Sequence, residues 1–150
     1  MVGRTIAIDL SKNFDVTSFD ISEANLSILK EKATVKTVVA NLSDYSSYAS
    51  MLAGFDMLVS AVPGFMGYAT LEAIINTGKN IVDISFFPED GLLLNKLAKE
   101  KGVTAIIDCG VAPGMSNLIL GRYNEEMKID SFDCMVGGLP KLRIKPFEYK

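Results

Sequence analysis

Three groups of residues have types and spacings that could do chemistry. The first is the opening run Met1-Val2-Gly3-Arg4-Thr5-Ile6-Ala7, which reads as the tail of a G-x-G-x-x-G loop without its first two glycines. In such a loop Gly3 lets a helix start hard against a strand, and free N–H groups from Arg4 onward face an anion such as a pyrophosphate. The second is Asp20, which closes the run Asp15-Val16-Thr17-Ser18-Phe19-Asp20. A carboxylate at that distance from the glycine accepts hydrogen bonds from an adenosine ribose, although it also reads as a solvated strand-end residue beside a helix cap. The third is the pair Asp83 and Asp108, in Val82-Asp83-Ile84-Ser85 and Ile107-Asp108-Cys109-Gly110. Both would face the reactive end of a ligand lying along the strand ends; either could instead be a turn or capping residue.

The chain contains no histidine. The commonest metal ligand and the commonest general base are therefore both missing. A zinc hydrolase or a Ser-His-Asp triad within this segment is excluded on that ground, and no metal site is expected. Proton transfer here must use Asp, Glu, Lys, Tyr, Cys or water. Cys109 reads as a small buried apolar residue rather than a nucleophile. Phe65, Tyr68, Phe86 and Phe87 read mainly as core, with pocket lining the alternative.

The elements that must position these residues are legible as alternating patterns. Val16 to Phe19, Val35 to Ala40, Met57 to Val62, Asn80 to Ile84 and Thr104 to Ile107 are short β-branched runs that predict buried strands. Arg4 to Ser11, Glu23 to Lys32, Tyr45 to Ala53, Tyr68 to Thr77 and Leu92 to Lys101 carry helical spacing between them. Ser22 is placed to cap the second helix, while Gly54, Gly78 and Gly102 are placed to end three others. Strand–helix alternation with right-handed crossovers predicts an α/β fold with a Rossmann-type, doubly wound parallel sheet. In that fold ligands lie beyond the carboxyl ends of the strands. Asn41 and Leu42 then fall where adenine is contacted, and Ala61, Val62 and Pro63 where a backbone approaches a flat ligand edge; Pro63-Gly64 is equally an ordinary turn. Ile21 follows Asp20 at the same edge. The carboxylate of Asp20 favours NAD over NADP, because a 2′-phosphate would meet a negative charge.

After Gly114 the pattern shifts. Ser116 to Met127 predicts a helix and Ile129 to Gly137 a strand, and Leu139 to Lys150 carries two prolines and no helical period. A nucleotide-binding domain over 1–122 and the start of a second, substrate-binding domain over 123–150 are expected. The front of the chain is unusual for the fold, since its first helix has no strand before it. A sheet of this type has its first strand at the centre, so either the sheet is rearranged or about one strand of upstream sequence is missing. The expectation is the second, a domain cut short at both ends. An open sheet centre leaves an apolar groove that can draw two chains together, which makes a homodimer a candidate assembly.

Bulk properties narrow the classes further. At 150 residues, 49% apolar and 22% charged, the chain fits one globular domain that buries roughly 70% of its unfolded surface. The net charge of −3 argues against a nucleic-acid surface, which needs clustered Lys and Arg. Lys141, Arg143 and Lys145 read as a solvated strand edge. No apolar run approaches the ~18 residues that span a bilayer, no export signal opens the chain, and two separated cysteines suit a reducing compartment. A cytoplasmic location without membrane or nucleic-acid partners is expected.

The opening run, Ser60-Ala61-Val62-Pro63-Gly64-Phe65, Val82-Asp83-Ile84-Ser85-Phe86-Phe87 and above all Asp108-Cys109-Gly110-Val111-Ala112-Pro113-Gly114-Met115-Ser116-Asn117 resemble the saccharopine dehydrogenase-like family, and within it the lysine 6-dehydrogenase-like proteins. Gly137-Gly138-Leu139-Pro140 is similar to that family's entry into its substrate domain. The resemblance covers only the front half of a typical member. It implies an NAD(P)-dependent oxidoreductase acting on the C–N bond of a small amino-acid substrate. Hydride leaves the amine-bearing carbon, and the imine formed is hydrolysed to an aldehyde or oxo acid. The cofactor carries the hard chemistry while the protein orients it and excludes water. It also implies that Gly110, Val111 and Ala112 lie near the nicotinamide and that Asn117 orients cofactor or substrate. No catalytic base is identified, and carboxynorspermidine synthase-type chemistry stays open. The rival classes are a dinucleotide-binding regulatory module without chemistry and a purely structural interaction domain.

Overall fold

The computed structural model describes residues 2–137, which fall into two compact units, 1–109 and 110–150. Unit one runs α1 (Val2–Leu10), β1 (Thr17–Asp20), α2 (Glu23–Lys30), β2 (Lys36–Val39), α3 (Tyr48–Met51), β3 (Met57–Ser60), α4 (Gly64–Asn76), β4 (Asn80–Asp83), α5 (Asn95–Lys101) and β5 (Ala105–Ile106). Single 3-10 turns, Tyr45–Ser47 and Gly91–Leu94, lead into α3 and α5. All described strand pairs are parallel, as βαβ units demand.

The strands form two sheets rather than one: β1 pairs with β2, and β3, β4 and β5 pair in that order. In the three-stranded sheet, register sets Leu58 beside Ile81 and Ile81 beside Ala105. That face packs on α4 and on the 3-10 turn before α5, where Leu71, Ile74, Ile75 and Leu94 complete a core with Tyr48 and Leu52. Leu71 and Ile75 are one helical turn apart and both fully buried, each burial stabilising by about 1.5–3 kcal/mol. The two-stranded sheet has a smaller core: Ala7 of α1, Leu29 of α2 and Val35, with Ile8, Val16 and Ala33 against them. Helix α1 touches both sheets, since its Gly3 approaches Ala61 just past β3. An edge-on contact between Phe19 and Phe55, centroids 5.7 Å apart, also links them.

Most expected elements are present, with three differences. Helix α4 starts at Gly64, four residues before the helical spacing becomes visible, because Gly64 and Gly67 look like breakers. They serve close packing instead: a Cβ on Gly64 would run into the Phe86 carbonyl, and one on Gly67 into Ser85 Oγ. Gly78 and Gly102 do adopt positive φ after their helices, whereas α3 has already ended at Met51, so Gly54 caps nothing. The strand expected over 129–137 does not form; that run finds no partner strand among the described residues. The basic residues Lys141, Arg143 and Lys145 and the closing segment from Leu139 lie outside the described residues. In the second unit α6 (Met115–Asn124) is the helix expected from Ser116.

Candidate functional site

Register brings the strand ends of unit one level within each sheet. Asp20 lies level with Val39, and Ser60 level with Asp83. The break between β1 and β3 divides the two sheets; open α/β sheets take ligands beyond the carboxyl ends of their strands. Gly3 and Arg4, both half-buried, open α1 there. A Cβ on Gly3 would stand 3.2 Å from the Ala61 Cβ, tight enough to show why a helix start so close to a strand end favours glycine. A dinucleotide pyrophosphate would sit over such a helix start, where free N–H groups favour an anion, and Gly3 fits the close approach that this needs.

Asp20 sits at the expected edge, but its carboxylate is already engaged. Oδ1 accepts the Ser22 amide at 2.8 Å and Oδ2 the Asn25 side-chain amide at 3.3 Å. Ser22 Oγ in turn accepts the Asn25 backbone amide, capping α2 as expected. Carboxylate oxygens accept more than one bond each, so the capping role leaves capacity for a ribose. Ile21 beside it is 70% exposed, an open apolar surface. After β2, Asn41 Oδ1 accepts the Ser43 amide, and the Leu42 carbonyl accepts the Tyr48 hydroxyl at 2.7 Å. Tyr48 is buried, which raises its hydroxyl pKa and keeps it a donor to this loop. Ala61 and Pro63 are exposed and Val62 half-buried; Pro63 precedes the first turn of α4.

The two strand-end acids differ. Asp83 shares the face of Ile81, has 0% exposure, and accepts both the Ser85 amide (2.9 Å) and the Ser85 hydroxyl (2.6 Å) on Oδ1. Its Oδ2 and the neighbouring Ser60 Oγ are buried without a hydrogen-bond partner. Burial raises its pKa, with the Ser85 bonds partly offsetting this. The expectation that Asp83 faces the crevice is thus replaced by an interior position, because strand alternation turns it toward α4; it holds the 84–87 loop in place. Asp108 is exposed and left-handed, with φ 57°, a conformation that Asp tolerates better than most residues. Between them Cys109 donates its amide to the Asp83 carbonyl. Burial first, then the charges of Asp83 and Asp108, raise its thiol pKa. Sequence reasoning missed Ser60 and Ser85; the D-x-S spacing of an Asx turn was the signal for Ser85.

In the second unit, Gly110 and Val111 carbonyls accept the Met115 and Ser116 amides, and Gly114 accepts that of Asn117. The loop thereby satisfies the first N–H groups of α6. Gly110 and Val111 are exposed and Ala112 half-buried. Asn117 lines an open groove of about 510 Å³ with Leu120, Asn124, Asp130 and Phe132. Among the described residues no three His, Cys, Asp or Glu side chains gather as a metal site, and no helix is long and apolar enough to cross a membrane.

The family model described as the saccharopine dehydrogenase NADP binding domain matches residues 1–106. The chain belongs to this family. Saccharopine dehydrogenase [NADP(+), L-glutamate-forming] of Pyricularia oryzae is 26% identical over 67% of this chain, and that of Saccharomyces cerevisiae is 25% identical over 78%. The alpha-aminoadipic semialdehyde synthase of Arabidopsis thaliana is 24% identical over 71%. The chain spans 23%, 27% and 10% of those three relatives. Among solved structures, the apo saccharopine dehydrogenase (L-Glu forming) of S. cerevisiae superposes with a TM-score of 0.72 at 23% identity, over 82% of this chain and 28% of its own. The WlbA dehydrogenase of Thermus thermophilus, in complex with NAD and alpha-ketoglutarate, matches with a TM-score of 0.55 at 16% identity, over 84% and 43%. The fold is therefore Rossmann-type, and the saccharopine dehydrogenase family is one of oxidoreductases with a dinucleotide-binding domain.

Proposed function

We propose that the strand-end crevice of residues 1–109 binds an adenine dinucleotide, NAD in preference to NADP, on behalf of an amino-acid dehydrogenase. The observation that carries this is Gly3, packed against Ala61 where α1 begins, with Asp20 at the adjoining strand end. The helix start holds the pyrophosphate, Asp20 accepts from the ribose, Ile21 and the Asn41–Leu42 loop flank the adenine, and Ala61, Val62 and Pro63 line the path onward. Although the family description speaks of NADP, Asp20 would place a negative charge beside a 2′-phosphate. When bound, the cofactor supplies hydride transfer at the C–N bond of a lysine-like amino acid. Gly110, Val111, Ala112, Asp108 and Asn117 enter this reading from the family resemblance, and Asp83 as a positioning residue. A second domain beginning near residue 123 and a cytoplasmic location belong to the same reading.

NADH fluorescence titration tests it. NADH is expected to bind about tenfold or more tighter than NADPH, a gap of roughly 1.4 kcal/mol, and Asp20→Ser to narrow that gap. Equal or tighter NADPH binding overturns the NAD preference, and absence of binding to either overturns the crevice.

The second reading is a dinucleotide-binding module without chemistry. It is favoured by the burial of Asp83, which leaves one of the two strand-end acids with no surface for a substrate. Formation of NADH from NAD and lysine separates the two: turnover supports the enzyme, binding without turnover the module.

A further inference from the structure

The loop that joins β2 to α3 is held mainly by short-range bonds at the surface. Asn41 Oδ1 accepts the Ser43 amide, the Asn41 carbonyl accepts the Asp44 amide, and the Asp44 carbonyl accepts the Ser47 amide and hydroxyl. Among the described hydrogen bonds only one leaves residues 41–44 for the interior: Tyr48 donates its hydroxyl to the Leu42 carbonyl at 2.7 Å.

Packing alone does not call for a tyrosine at that place. Tyr48 is 2% exposed and belongs to the core with Leu52, Leu71 and Ile74. Its ring stands edge-on to Tyr45, centroids 5.5 Å apart, and a phenylalanine would fill the same space. A buried phenol hydroxyl is destabilising unless it is bonded. Tyr48 has two polar groups to meet. Its one O–H goes to Leu42, so its oxygen retains only acceptor capacity. Thr70, 2% exposed on α4, has a hydroxyl close enough to ease charge on that oxygen and no other hydrogen-bond partner. Thr70 therefore donates to Tyr48, and Tyr48 to Leu42. Helix α3 spans four residues and is too short to hold a loop by itself. The relay ties the loop instead to α4, thirteen residues long and packed in the main core.

We propose that Tyr48 and Thr70 are positioning residues for the adenosine half of the ligand, fixing from beneath the depth of the Asn41–Leu42 backbone. Both are buried and act through that loop. The inference rests on the crevice reading above, in which Asn41 and Leu42 flank the adenine. It adds that two buried hydroxyls, one on α3 and one on α4, set the affinity for the ADP-ribose part shared by every adenine dinucleotide.

Calorimetric titration of the full chain with NADH and with ADP-ribose tests it. Tyr48→Phe keeps the ring and its packing and removes both bonds of the relay. It is expected to weaken both probes about five- to tenfold, the worth of one ordered hydrogen bond. Thr70→Val is expected to weaken both about threefold, and Thr70→Ser to restore them. Ile74→Val, which loosens the same core without touching the relay, is the structural control and is expected to leave both within about twofold. Unchanged ADP-ribose affinity in Tyr48→Phe overturns the proposal, and so does an Ile74→Val loss as large as that of Tyr48→Phe. Should Tyr48→Phe fail to fold, Thr70→Val and Thr70→Ser decide by the same criteria: equal affinities in the two overturn the relay. Wild-type protein that binds neither probe overturns the crevice itself, a failure distinct from one confined to the variants.

Discussion

The tripeptide Asp-Ile-Ser occurs twice, at the end of β1 as Asp20-Ile21-Ser22 and at the end of β4 as Asp83-Ile84-Ser85. Both copies close the same Asx turn, the serine amide reaching the aspartate Oδ1 at 2.8 Å in one and 2.9 Å in the other. Local sequence dictates this much, since a short carboxylate two residues before an N–H prefers the turn to continued strand. Beyond the turn the two copies diverge. After Ser22 a helix starts, so the serine side chain turns to cap it and the carboxylate stays at the surface. After Ser85 the chain runs under the close-packed start of α4, so the serine hydroxyl turns back onto its own aspartate and both are buried. The same three residues thus give a surface acid in one place and an interior brace in the other.

The comparison can be broken in three measurements. Ser85→Ala removes a bond to a buried carboxylate and is expected to cost about 1.5–3 kcal/mol of stability in urea denaturation; a loss no greater than that of Ser22→Ala would refute the interior role. Asp83→Asn keeps the acceptor for both Ser85 donors and deletes the charge. Because burial raises the Asp83 pKa above its ordinary value of 3.8, the native state holds its proton more tightly than the unfolded chain. The stability this contributes is complete below about that ordinary value and declines as pH climbs through the raised one. The Asn variant is expected to lack that decline and to exceed the wild type at pH 7 by on the order of 1 kcal/mol; parallel stability curves from pH 4 to 7 would remove the buried-charge account. Ser22→Ala is expected to have the smallest effect, about 0.5–1 kcal/mol, as for an exposed helix cap.

The alternation of strands and helices was legible because burial on both faces demands continuous β-branched runs such as Ile81-Val82 and helices need spaced apolar residues such as Leu71 and Ile75. The strand-end location of Asp20, Asp83 and Asp108 was set by those runs. Sidedness was not. Whether an acid at a strand end turns inward depends on which face a helix covers, and that depends on Gly64 and Gly67, whose role as contact points appears only when Ser85 and Phe86 are seen beneath them. The run from Ile129 carries the apolar residues Phe132, Met135 and Val136 that suit a strand, yet a strand exists only with a partner ladder, and sequence pattern carries no information on the partner.

The setting of Cys109 has a practical consequence. Thiolates, not thiols, attack alkylating reagents, and Cys109 is half-buried with its ionisation opposed by two carboxylates, whereas Cys134 is exposed. A maleimide dye at neutral pH therefore reacts first at Cys134, which makes the chain a substrate for single-site labelling without any cysteine having to be removed.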